Sequence, residues 1–134
     1  MYLVDTNIWL ERLLAQERSD EVGSFLSAVS SDRLFITDFS FHSICVILAR
    51  LHRLDTLTEF ADDLFSNAGV ALLTVAPVDL RVVVEVISKF KLDFDDAYQY
   101  VAAEQHGLMI VTFDSDFDQF PDRKLTPREV TQSL

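Results

Sequence analysis

Glycine is scarce in this chain: Gly23, Gly69 and Gly107 are the only three in 134 residues. They lie far apart, which excludes the glycine-rich loops that cradle nucleotide phosphates, and no G-x-S-x-G elbow is present to carry a hydrolase serine. A single cysteine, Cys45, leaves neither a disulfide framework nor a zinc knuckle to build. Its setting in Ile44-Cys45-Val46-Ile47-Leu48 reads as that of a buried structural thiol. No stretch reaches the roughly 18 uncharged apolar residues of a membrane span. The start, Met1-Tyr2-Leu3-Val4-Asp5, carries neither a basic nor an apolar leader region. A cytoplasmic protein with no membrane contact is expected. Basic residues are the last shortage: 11 Lys and Arg against 22 Asp and Glu give a net charge of −11, which speaks against a general DNA binder. The small basic groups Arg50-His52-Arg53, Lys89-Lys91 and Arg123-Lys124 read as solvated helix ends or loops.

What is abundant is apolar material, 49% of residues including eleven Phe, enough for a continuous core in one domain spanning residues 1–134. Only the tail after Pro127 has a composition open to disorder. Tyr2-Leu3-Val4 is a short apolar strand that stops at Asp5-Thr6-Asn7, residue types that cap helices, and Ile8, Trp9, Leu10, Leu13 and Leu14 then recur at helical spacing. A second helix is expected over about 19–29, a strand at 34–36, and helices from Asp38 to about Leu51 and from Leu54 to about Phe65. A strand over 72–75, a helix over 78–90, a helix opened by Asp93 and closed by His106-Gly107, and a strand over 108–111 complete the pattern. Lys124-Leu125 makes a short fifth strand. Uninterrupted apolar strands alternating with helices predict an α/β three-layer sandwich: a central, mainly parallel sheet of four to five strands flanked by helices.

Sites on such sheets form beyond the C-terminal strand ends. Asp5 directly follows the first strand, Asp114 follows the fourth by two residues, and Asp96 sits in the first turn of a helix. Each has an ordinary use. Asp5 and Asp114 can cap helices, and Asp93, Asp95 and Asp96 suit the positive end of a helix dipole, at about 0.3–1 kcal/mol each. Together they are harder to reduce to capping, since two carboxylates ~5 Å apart repel by about 3 kcal/mol at an effective dielectric near 20. A divalent cation removes that repulsion. All-oxygen ligation selects Mg²⁺ or Mn²⁺, and the chemistry such an ion supplies is phosphodiester hydrolysis. A phosphoryl-aspartate mechanism of the haloacid type fits less well, because Asn7 stands where its Asp-x-Asp motif needs the second acid.

Val4-Asp5-Thr6-Asn7 after an N-terminal strand, Asp96-Ala97 on a helix, and Gly107-Leu108-Met109-Ile110-Val111-Thr112-Phe113-Asp114-Ser115-Asp116-Phe117 together resemble the PIN domain, in the small single-domain form found in VapC-like toxins. The resemblance covers nearly the whole chain. It implies a metal-dependent endoribonuclease that hydrolyses RNA, is frequently a homodimer, and is neutralised by an antitoxin protein. By position it makes Asp5, Asp96 and Asp114 the catalytic residues and these three with Asp116 the holders of Mg²⁺ or Mn²⁺, with Asn7 and Thr112 as positioning groups. One departure stands out. The family places a Glu on the helix after the second strand where this chain has Ser43, so the set is one carboxylate short unless His42, Asp38 or Asp93 substitutes. The same gap admits an alternative: a degenerate PIN domain acting as an RNA-binding or protein-interaction module. Trp9, Phe39, Phe41, Phe60 and Phe65 also exceed what a small core is expected to hold, suggesting an apolar face for a second copy or a partner helix.

Overall fold

The computed structural model describes all residues from Met1 to Leu134. Five strands are present: β1 (Tyr2–Val4), β2 (Leu34–Thr37), β3 (Ala71–Leu73), β4 (Met109–Val111) and β5 (Lys124–Leu125). They form one sheet in the order β3-β2-β1-β4-β5, and every pairing is parallel, with Leu3 opposite Phe35 on one side and Ile110 on the other. Seven helices cover it: α1 (Thr6–Leu13), α2 (Ser19–Ala28), α3 (Asp38–Arg50), α4 (Leu54–Ala61), α5 (Leu80–Phe90), α6 (Phe94–His106) and α7 (Pro127–Ser133). This is the expected PIN-like α/β sandwich.

The three layers follow from the two-residue period of the strands. Tyr2, Val4, Leu34, Ile36 and Val111 turn toward α1–α4 and α7, where they meet Ile8, Trp9, Phe25, Ile44, Leu48, Phe60 and Val130. Leu3, Phe35 and Ile110 turn the other way, against Val83 and Val86 of α5, Val101 of α6, and Phe117. Phe25 and Phe117 are fully buried, each contributing about 1.5–3 kcal/mol of apolar transfer. Because β1 is central and its neighbours point the same way, the C-terminal ends of β1, β2 and β4 open onto one edge. That edge receives Asp5, Thr37 and Thr112.

Several expectations shift. The helix expected from Leu54 to about Phe65 is α-helical only to Ala61 and continues as a π-helical turn, Asp62–Ala68, ended by Gly69 at φ +75°. Strand three lies over 71–73, and a 3₁₀ turn at Pro77–Asp79 precedes α5. The tail after Pro127 is ordered: the Thr126 hydroxyl accepts from the Glu129 N–H, and the Glu129 carboxylate accepts from the Thr126 N–H, a capping box that starts α7 and lays it on α2. Cys45 is half-buried rather than buried, and its thiol is pushed up by desolvation, away from reactive thiolate character. The aromatics expected to be in excess are absorbed. Trp9 and Phe60 are buried, and Phe41 packs edge-on to Phe65 with centroids 5.0 Å apart. The apolar side chains left exposed are others, including Val46, Leu51, Leu54, Val78 and Val84. No helix is long and apolar enough to cross a membrane.

Candidate metal centre

β1 ends at Val4, and Asp5 closes the sheet ladder with an N–H to the Val111 carbonyl (3.0 Å) while capping α1. Its carboxylate is buried and fully occupied. Oδ1 accepts from the Thr6 N–H (2.8 Å) and Gln99 Nε2 (3.0 Å), and Oδ2 accepts from Thr112 Oγ1 (2.8 Å) and Asn7 Nδ2 (3.3 Å). Desolvation nevertheless raises its pKa, opposed by the bonds from Thr112, Gln99 and Thr6, and the Asp114 charge adds to the rise. Asn7 and Thr112 lock the frame. Asn7 Nδ2 donates to Thr112 Oγ1 (3.0 Å), Asn7 Oδ1 accepts from the Phe113 N–H (3.1 Å), and Thr112 Oγ1 accepts from the Asp114 N–H (3.0 Å). Capping and positioning are therefore one arrangement.

Gln99 is a member of the site that the sequence reading missed. It is buried on α6 and joins three elements: Nε2 donates to Asp5 Oδ1 and Ser40 Oγ (2.9 Å), and Oε1 accepts from Thr37 Oγ1 (2.6 Å). Thr6 Oγ1 donates to Ser40 Oγ as well (2.8 Å). A signal for it exists in outline: Gln99 lies three residues after Asp96, on the same helical face, among Ala97, Val101 and Ala102.

Asp96 lies in the first turn of α6, where the helix dipole favours a carboxylate. Asp114 caps a 3₁₀ turn, Ser115–Gln119, its Oδ1 accepting from the Asp116 N–H (2.9 Å). Carboxylate oxygens of Asp96, Asp114 and Asp116 come within 4.8 Å of one another, and those of Asp93, Asp95 and Asp96 do the same. Asp96 is the shared member. Desolvation, then the charges of Asp114, Asp95, Asp5 and Asp116, push its pKa up to about 8. A cavity of ≈ 300 Å³ is lined by Asp5, Asn7, Ser43, Asp95, Asp96 and Asp114 among others, with no Lys, Arg or His, while the exposed Asp116 meets Asp96 and Asp114 without forming part of its wall.

The donor set is all oxygen, carries several formal negative charges, and has no cationic neighbour to offset them, which fits a hard divalent ion. The candidates for the missing fourth carboxylate separate. Ser43 lines this cavity, whereas Asp38 and His42 line the next one, where Asp38 Oδ1 accepts from the Tyr98 hydroxyl (2.7 Å). Asp93 belongs to the second triad but not to the cavity wall. Asp95 does line it, and its Oδ1 accepts from the Asp96 N–H (3.1 Å); nothing in its sequence position separates it from an ordinary helix-start acid.

Comparison with known proteins gives a consistent family. The PIN domain family model matches residues 2–123. No individual curated protein matches by sequence. Among solved structures, a toxin–antitoxin complex from Klebsiella pneumoniae superposes with a TM-score of 0.75 at 22% identity, covering 96% of this chain and 99% of that one. FitAcB from Neisseria gonorrhoeae gives 0.75 at 19%, covering 95% and 98%. Mycobacterium tuberculosis VapC20, described as a sarcin-ricin loop cleaving toxin, gives 0.77 at 16%, covering 89% and 94%. At these identities the likeness is one of fold.

Proposed function

The chain belongs to the PIN domain family, and from that membership and its acidic cavity we propose that it is a Mg²⁺- or Mn²⁺-dependent endoribonuclease, the toxin of a cytoplasmic toxin–antitoxin pair. The observation that carries this reading is the convergence of Asp96, Asp114 and Asp116 beside the fixed Asp5 with no basic residue in the cavity. We assign Asp5, Asp96 and Asp114 as catalytic and these three with Asp116 as the metal holders. A divalent ion bound there supplies an acidified water and neutralises charge on a phosphoryl group.

The protein's own part is preparation. Thr112, Gln99 and the Thr6 N–H fix the Asp5 carboxylate plane, and the Asn7 contact is the longest of the four at 3.3 Å. A bound cation would favour the ionised form of Asp96, whose pKa burial and the neighbouring carboxylates raise to about 8. The net charge of −11 ceases to be an objection, because the cation and not the protein surface attracts the phosphate. The similarity to a toxin–antitoxin complex and to a toxin described as cleaving the sarcin-ricin loop supports an antitoxin partner, and the exposed Leu51 and Leu54 offer apolar surface for a homodimer.

Purified protein should cleave RNA with Mg²⁺ or Mn²⁺, stop in EDTA, and lose activity as Asp5→Asn or Asp96→Asn; undiminished cleavage by those variants would overturn the assignment. A second reading, a degenerate PIN module that binds RNA or protein without efficient catalysis, is favoured by Ser43 lining the cavity where the family's Glu is expected. Calorimetric titration with Mn²⁺ separates the two: no heat at millimolar metal favours the module, saturable binding favours the nuclease.

A further inference from the structure

A second cavity, of ≈ 530 Å³, adjoins the acidic one and shares Phe39, Ser43 and Ile47 with it as a common wall. Its other lining residues are Asp38, His42, Val46, Phe94 and Tyr98. Three rings cluster on one side: Phe39 lies 5.8 Å from Phe94 and 5.5 Å from Tyr98 between centroids, and Phe94 lies 6.0 Å from Tyr98. Tyr98 is buried and tied by its hydroxyl, which accepts from the Val75 N–H (2.9 Å) and donates to Asp38 Oδ1. Phe94, by contrast, is 44% exposed although it is held in place at the first position of α6. An aromatic face is thus presented to solvent on a rigid backing.

The polar rim has a definite character. Asp38 Oδ1 is occupied by the Phe39 N–H (2.8 Å) and the Tyr98 hydroxyl (2.7 Å), which leaves Oδ2 as an acceptor with no partner in the protein. No Lys or Arg lines this cavity, whose one basic side chain is the His42 imidazole and whose wall includes the Asp38 carboxylate, so a phosphate is poorly matched to it. A flat, neutral, π-faced group carrying an N–H donor fits both the rings and the carboxylate. Resting on the reading of the acidic cavity as the place where a phosphodiester is cut, we propose that this aromatic cleft is a base-binding subsite: the nucleotide next to the scissile phosphate stacks on Phe94, and Asp38 Oδ2 accepts from its exocyclic amine. Adenine, cytosine and guanine carry that amine and uracil does not. Because a base stacked within a duplex does not have its face free for Phe94, the substrate is single-stranded there.

The test maps cleavage of a randomised single-stranded RNA pool by the wild-type chain, by Phe94→Ala and by Asp38→Asn, in Mn²⁺, together with the sedimentation behaviour of each variant. Phe94→Ala should lower kcat/KM about tenfold, the size of one base–aromatic stacking contact, with folding unchanged since the side chain is at the surface. Asp38→Asn keeps an oxygen for the Tyr98 hydroxyl but replaces the free acceptor by a donor, so discrimination against uracil at the subsite should vanish or reverse. Wild-type cleavage with the rate and base preference of both variants unaltered would overturn this inference and leave the nuclease reading standing. A change in association state alone, with cleavage preference intact, would also overturn it, in favour of a surface for a second copy. No cleavage by the wild type would overturn both readings.

Discussion

Replacing Asp96 by Asn is expected to stabilise the metal-free protein at alkaline pH while abolishing cleavage. Its carboxyl titrates at about 8 in the folded chain against an ordinary value of 3.8, through desolvation and then through Asp114, Asp95, Asp5 and Asp116. Between those two values the folded state holds a proton that the unfolded state has released. The stability this lends is complete below about pH 4 and is lost as pH rises through 8. At about 1.4 kcal/mol per unit the ceiling is about 5–6 kcal/mol. The cavity mouth is open to water and neighbouring acids share the proton, which brings the expected loss nearer about 2 kcal/mol. For a chain of this size that is about 6–8 °C in Tm. The amide of the variant carries no charge and escapes it. Thermal melts followed by circular dichroism in EDTA from pH 5 to 9 should show the wild-type Tm falling relative to that of Asp96→Asn, with Mn²⁺ restoring the wild type at pH 8 and leaving the variant unmoved. Parallel pH profiles for the two proteins would refute the reasoning.

Other perturbations separate support from contact. Gln99→Leu removes the donor to Asp5 and Ser40 and the acceptor for Thr37; it should cost about 2–4 kcal/mol by urea unfolding, as buried groups lose partners, and weaken Mn²⁺ binding about 10–100-fold by calorimetry. Ser43→Glu should tighten Mn²⁺ binding in the same titration, since Ser43 lines the acidic cavity; unchanged affinity would place the absent carboxylate elsewhere. Thr126→Ala breaks the capping box of α7 and should cost about 1 kcal/mol of stability, with cleavage rate unaffected.

The parts legible in the sequence are those that depend on short-range period and strand-end position. Tyr2-Leu3-Val4 and Met109-Ile110-Val111 are apolar on both faces because helices cover both, and Asp5 and Asp114 follow them at the C-terminal edge for the same topological reason. What was not legible is set by tertiary choice. Trp9 and Phe60 look surplus by count, yet they fill one core with Phe41 linking Phe60 and Phe65. The tail after Pro127 looks featureless, although Thr126-Pro127-Arg128-Glu129 is a capping-box pattern with Pro at the first helical position. The role of Gln99 depends on Thr37 and Ser40 arriving from 62 and 59 residues away, a coincidence no local window contains.

The carboxylates at the edge divide into two kinds, and the division has a physical reason. Asp5 is surrounded by donors from α1, α6 and the end of β4, so hydrogen bonds oppose, without cancelling, the effect of burial, and the group is held in one orientation. Asp96 receives no such compensation: its pKa is raised by desolvation and by like charges, with nothing lowering it. Both gain from a cation, but Asp5 has hydrogen bonds that already oppose its desolvation, whereas Asp96 has none that lower its pKa. Rigidity at one position and stronger, uncompensated repulsion at the other give binding whose geometry is set by the first and whose driving force comes mainly from the second. Metal affinity should therefore begin to fall at a higher pH than the ordinary carboxylate range predicts, because the proton that competes for the site is the one Asp96 holds up to about pH 8.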